Sequence, residues 1–168
     1  MFTSDIKRQI AASLRRLEVG GVIQNSEAIS DLKREIGPVF PAGYASLLQS
    51  LPLAGAELLL QLYPQEDDFD GTEEICFADV PLLLELNKEC YPGIYLNPNN
   101  FFVFAYGGSG AGNCFAFNVM DQSDPAVYEV WHDAAHSVEG MAKALNELKG
   151  VTRVASHFSN LFSKAIYE

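Results

Sequence analysis

A glycine-rich cluster, Gly107, Gly108, Ser109, Gly110, Ala111 and Gly112, stands between two aromatic-rich runs, "FFVFAY" and "CFAFNV". Glycines at this density can cradle a phosphate or hold a nucleophile on a sharp turn, so the spacing decides. A dinucleotide fingerprint places glycines at positions one, three and six and then opens a helix. Counting from Gly108 the sixth residue is Asn113, and from Gly110 it is Phe115. A P-loop closes on Gly, Lys and Ser or Thr, whereas Asn113 and Cys114 follow Gly112. A nucleophile elbow reads G-x-S-x-G; Gly107 and Ser109 fit, but the fifth residue is Ala111. All three motifs lead into a helix, and "CFAFNV" alternates as a strand does. The cluster therefore reads as a hairpin bend, in which Gly107, Gly108, Gly110 and Gly112 supply the positive φ angles of a chain reversal with a bulge.

Two further stretches carry titratable groups. "QEDDFDGTEE" holds Glu66, Asp67, Asp68, Asp70, Glu73 and Glu74 without an intervening base. Glu66, Asp68, Asp70 and Gly71 mimic the opening of a calcium loop, yet the twelfth position, which should be a bidentate Glu, is Phe77. The stretch reads either as a solvated acidic loop or as a docking patch for a basic partner. "VWHDAAH" sets His132 and His136 four apart with Asp133 adjacent. Zinc would want that spacing on a helix together with a third ligand, and here the chain leaves a strand and enters a loop. A Ser109–His132–Asp133 triad meets the objection that adjacent residues at a strand end point in opposite directions. No metal, cofactor or catalytic group is assigned. Cys76, Cys90 and Cys114 are odd in number and scattered, which reads as three free structural thiols in a reducing compartment.

The elements that must position these residues follow from periodicity. Ser4 caps a helix with Ile6, Ile10, Leu14 and Leu17 on one stripe, stopped by Gly20 and Gly21. Ser26 opens a second with Ile29, Leu32 and Ile36. Pro41 leads a third with Tyr44, Leu47, Leu48 and Leu51, ended by Pro52. Strands are expected at 56–63 and 73–79; the leucines of the first also suit a helix. Asp79 caps a helix with Pro81 in its first turn and Leu83, Leu84 and Leu86 within. Strands follow at 101–106, 114–119 and 127–131. Ser137 caps a helix bearing Val138, Met141, Ala142, Leu145 and Leu148, and Ser156 caps a last one bearing Phe158, Leu161, Phe162, Ala165 and Ile166. Helices, then strands joined by short turns, then helices predict an α+β domain: an antiparallel β-meander packed against N- and C-terminal helices.

The 168 residues suit one domain, and a composition 48% hydrophobic and 20% charged is that of a globular chain. No apolar run reaches the length of about 18 residues that a membrane span needs, and "MFTSDIKRQI" does not read as a secretory signal, so a cytoplasmic location is expected. Twenty-two acidic against 11 basic residues give a net charge of −11, which repels nucleic acid and anionic membranes and attracts a basic protein. The residues expected to meet such a partner are Glu66, Asp67, Asp68 and Asp70, Tyr106 at the hairpin mouth, and Trp131 with Asp133.

The order of these motifs over residues 26–167, after an N-terminal helix extension at 1–25, resembles the SUKH superfamily, which contains bacterial toxin-immunity proteins and a fungal regulator of cell-wall synthesis. "SEAISDLKREIGPVFPAGYASLLQSL" is similar to its entry helix pair. "FADVPLLLELNKECYP" is similar to its strand-to-helix step, the glycine hairpin to its hairpin before an aromatic strand, and "PAVYEVWHD" and "VTRVASHFSNLF" to the segments that follow. "LPLAGAE" departs from the small turn usual after the Tyr helix, and 137–150 reads as an inserted helix. The resemblance implies an α+β fold and no catalysis. Together with the net charge of −11 it implies binding and neutralising a basic toxin domain, many such toxins being nucleases, and a monomer or weak dimer is expected. A regulatory scaffold, as in the fungal branch, and a small hydrolase using Ser109 are the rival readings.

Overall fold

The computed structural model describes residues 2–18, 20–121 and 123–166. Three helices open the chain: α1 (Ser4–Arg16), α2 (Ser26–Ile36) and α3 (Ala42–Leu48). Two strands follow, β1 (Glu57–Gln61) and β2 (Thr72–Phe77), then α4 (Val80–Lys88) and α5 (Gly93–Leu96). β3 (Phe101–Gly107), β4 (Cys114–Asn118) and β5 (Val127–Val130) come next, and α6 (Val138–Glu147), β6 (Val151–Ala155) and α7 (Phe158–Leu161) close the fold. The six strands form one antiparallel sheet in sequence order, the meander expected of an α+β chain.

Register sorts the side chains onto two faces. Phe77, Ala105, Phe115, Glu129 and Thr152 form one row across β2 to β6, and Cys76, Tyr106, Cys114, Val130 and Val151 form the row beside it, on the opposite face. The first face carries the main core, where Phe77, Phe102, Phe104, Phe115 and Phe117 meet Tyr44 of α3 and Phe158 of α7. The second carries a smaller core under α5 and α6, with Leu96, Met141 and Ala144 over Val103, Cys114, Ala116 and Val130. Both faces are therefore covered, which explains why β3 and β4 read as nearly continuous apolar runs. The sheet curls: Ala165 forms a bridge to Leu60, and Ile166 N–H donates to Leu59 O at 3.0 Å, so the end of the described chain lies along the outer edge of β1.

Several expectations shift. The caps of the first two helices sit one residue earlier than Ser4 and Ser26: Thr3 Oγ1 accepts from Ile6 N at 3.3 Å and Asn25 Oδ1 from Ala28 N at 2.9 Å. Asp79 and Ser137 cap α4 and α6 as their positions predict. The sixth strand, β6, has no counterpart in the sequence reading, although Val151, Thr152 and Val154 are β-branched and Gly150 precedes them. The last helix is a single turn followed by a 3₁₀ turn at Phe162–Lys164, not a run over 156–166. Ser156 does not cap it. Asp124, from the β4–β5 connection, reaches across instead and accepts from Ser159 N at 3.0 Å and Ser159 Oγ at 2.5 Å.

Candidate functional site

The acidic stretch is an ordered hairpin. Glu66 N donates to Phe69 O at 2.7 Å and Phe69 N to Glu66 O at 3.2 Å, which leaves Asp67 and Asp68 as the two residues of a tight turn. Gln61 Nε2 ties its base by donating to Tyr63 O and Asp70 O, each at 2.9 Å. Gly71 is required there. Its φ is +78°, and a Cβ would lie 2.3 Å from Tyr63 O. Asp70 serves the hairpin itself: its Oδ1 accepts from Thr72 Oγ1 and Thr72 N, which holds its carboxyl below the ordinary range. Glu66, Asp67 and Asp68 are exposed at the tip. The ion pairs Arg8–Asp5, Arg34–Asp31, Arg34–Glu35 and Lys143–Glu147 lie on helices and use none of these carboxylates.

Beside the hairpin is a hollow of about 270 Å³ lined by Tyr63, Phe69, Asn113, Glu129, Trp131 and Thr152. Phe69 and Trp131 are 43% and 50% exposed, unusual for large aromatic side chains, and the Tyr63 and Phe69 rings lie 6.0 Å apart. Glu129 is only 5% exposed. By register it sits on the apolar face between Phe115 and Thr152. Its two carboxylate oxygens accept from Tyr63 Oη and from Asn113 Nδ2, the latter at 2.8 Å. Burial pushes the carboxyl above its ordinary range. No ion pair joins Glu129 to a basic side chain among the described residues.

Asn113 connects this hollow to the glycine turn. Its carbonyl accepts from Gly107 N at 3.1 Å, and its Oδ1 accepts from His132 N at 3.4 Å. Gly112, at φ +77°, packs against His132, whose Cβ is 3.4 Å from where a glycine Cβ would lie. The glycine cluster thus ends by placing Asn113 against Glu129. Gly110 and Gly112 have the expected positive φ, but Gly107 and Gly108 do not. Those two admit a close approach instead: a Cβ on Gly108 would lie 2.2 Å from Glu74 Oε2, and one on Gly107 would lie 2.8 Å from Glu73 Oε1. Ser109 is exposed on the turn, and no hydrogen bond joins it to His132 or Asp133 among the described residues.

Of the residues singled out for partner binding, the structure gathers the acidic hairpin and Trp131 around one hollow. Asp133 is exposed in the turn that follows Trp131, closed by Ala134 N donating to Trp131 O at 3.0 Å. Tyr106 lies on the opposite face of the sheet, in the row of Cys76 and Cys114, and lines a separate apolar hollow of about 390 Å³ with Leu82, Leu86 and Tyr91. Tyr63, Phe69, Asn113 and Glu129 escaped the sequence reading. Only Glu129 left a signal, as a lone carboxylate in phase with Val127 and Trp131 on an otherwise apolar strand. The three cysteines are free thiols, and burial raises each thiol above its ordinary range. Among the described residues no three His, Cys, Asp or Glu side chains are gathered to hold a metal ion, and no helix is long and apolar enough to cross a membrane. The fold and site define an α+β chain with an acidic, aromatic surface hollow. No family model, no curated protein and no solved structure matches the chain.

Proposed function

We propose that this chain is a non-catalytic protein-binding module that recognises a basic partner through the acidic hairpin and the aromatic hollow beside it. On the resemblance to SUKH proteins, the partner is a toxin domain that the chain neutralises in the cytoplasm. The observation that carries the reading is the coincidence of three features in one place: an ordered turn with exposed carboxylates, two half-exposed aromatic rings, and a concave surface between them. Exposed aromatic side chains over a hollow are what binding hot spots are made of, and a rim of like charge raises association rate by steering. A net charge of −11 extends the same field over the whole surface.

The experiment measures association kinetics against a toxin domain encoded beside this chain, at several ionic strengths. The clean variant is Glu66→Gln, Asp67→Asn, Asp68→Asn, which leaves Asp70 to hold the hairpin. It should slow association several-fold at low salt and flatten the salt dependence, since exposed charges are screened beyond about 10 Å at 0.1 M. Wild type should rescue cells that make the toxin domain. Equal rates for wild type and variant at low salt would show that the hairpin is merely solvated.

A further inference from the structure

We infer that the hollow between the acidic hairpin and β5 is a receptor for one arginine side chain of the partner, with Glu129 as its carboxylate and Trp131 as the ring on which the guanidinium stacks. The inference rests on the proposed protein-binding role. It comes from an imbalance: Glu129 is buried on an apolar face with hydrogen-bond donors but, among the described residues, no ion-pair partner. Removing a carboxylate from water is costly unless its charge is matched. Tyr63 and Asn113 supply one donor to each oxygen, which leaves on each a lone pair for a further donor.

The walls select the ligand. An anion is repelled by Glu129 and by the hairpin tip. A neutral apolar group would cover the carboxylate without replacing the water it displaces. A cation meets the Glu129 carboxylate and the aromatic side chains of Trp131, Phe69 and Tyr63 that line the hollow with it. Among cations, the guanidinium of arginine is planar, offers a fork of N–H donors that matches a carboxylate, and stacks on aromatic rings; the lysine ammonium is compact and strongly hydrated. The Asn113 link to His132 N fixes the turn that carries Trp131, so the ring and the carboxylate are held in one frame.

Trp131 is the only tryptophan of the chain, so its fluorescence and its indole N–H resonance report on this hollow alone. The probe is the capped peptide acetyl-Gly-Arg-Gly-amide, titrated to millimolar concentration beside its citrulline and lysine counterparts. The arginine peptide should give a saturable change, and the citrulline peptide, the same shape without the charge, none. Glu129→Gln should weaken arginine binding about ten-fold, the usual scale for losing a hydrogen bond to a charged group. Equal responses to arginine and citrulline would overturn the inference with no variant needed. Equal binding of lysine would overturn the guanidinium assignment, and unchanged binding by a folded Glu129→Gln protein would overturn the role of Glu129. If the peptide fails while the three-carboxylate variant still slows association with the toxin domain, only this inference falls. If both fail, the protein-binding reading falls with it.

Discussion

Tyr44 is fully buried among Phe102, Phe104, Phe117 and Phe158, and its hydroxyl has no hydrogen-bond partner among the described residues. The ring earns its place by packing, while the hydroxyl bears a desolvation cost with nothing in return. Tyr44→Phe should therefore leave stability unchanged or raise it by about 1 kcal/mol in urea unfolding; a loss of that size would reveal a partner for the hydroxyl. Glu129 poses the opposite problem, because its buried carboxyl titrates above the ordinary range. Between the unfolded and the folded value, the unfolded chain has lost the proton and the folded chain keeps it, so this residue makes stability fall as pH rises through that window. Glu129→Gln should remove that contribution, and the variant should gain on wild type as pH rises above the ordinary glutamate value of about 4.3. A wild-type advantage that grows with pH would mean that Tyr63 and Asn113 favour the charged form by more than burial disfavours it.

Asn87, buried in α4, shows how one side chain can stand in for a strand. β2 pairs with β3 only as far as Phe77 opposite Ala105, and the β3–β4 register then slips between Val103 and Ala105. Where β2 has turned away, Asn87 Oδ1 accepts from Val103 N at 3.0 Å and its Nδ2 donates to Val103 O at 2.8 Å. Asn87→Ala strands both backbone groups and should cost about 2–4 kcal/mol in urea unfolding; a cost below about 1 kcal/mol would mean that water replaces the amide. The acidic hairpin allows a paired test. Gly71→Ala meets both positive φ and the Tyr63 carbonyl, whereas Gly110→Ala meets positive φ with nothing within 4 Å. The second should cost about 1 kcal/mol and the first clearly more, with disturbed Phe69 and Trp131 resonances. The order of the longer helices, the meander's first five strands and the turn role of the glycines were legible in the sequence, because periodicity and breakers are local; the single-turn α5 was not. β6 was not, since five residues with two exposed in the middle give no alternation. The hollow was not either: Tyr63 and Glu129 are 66 residues apart, and only the curl of the sheet brings them together.

At the scale of the whole molecule, the main core converges on Phe158. Its ring lies within 5.1–6.5 Å of Phe2, Tyr44, Phe77, Phe104, Phe117 and Phe162, so it joins the segment before α1, α3, three strands and the closing turn. Phe158→Ala should cost about 3–5 kcal/mol, at the upper end for core aromatic truncations. A chain truncated before Phe158 should keep helical circular dichroism but lose a cooperative thermal transition. That position has a consequence for synthesis. A chain leaves the ribosome N-terminus first, so the aromatic patch that Phe77, Phe104 and Phe117 present to Phe158 stays uncovered until that residue has followed, and transiently exposed apolar surface of this kind is what chaperones shield.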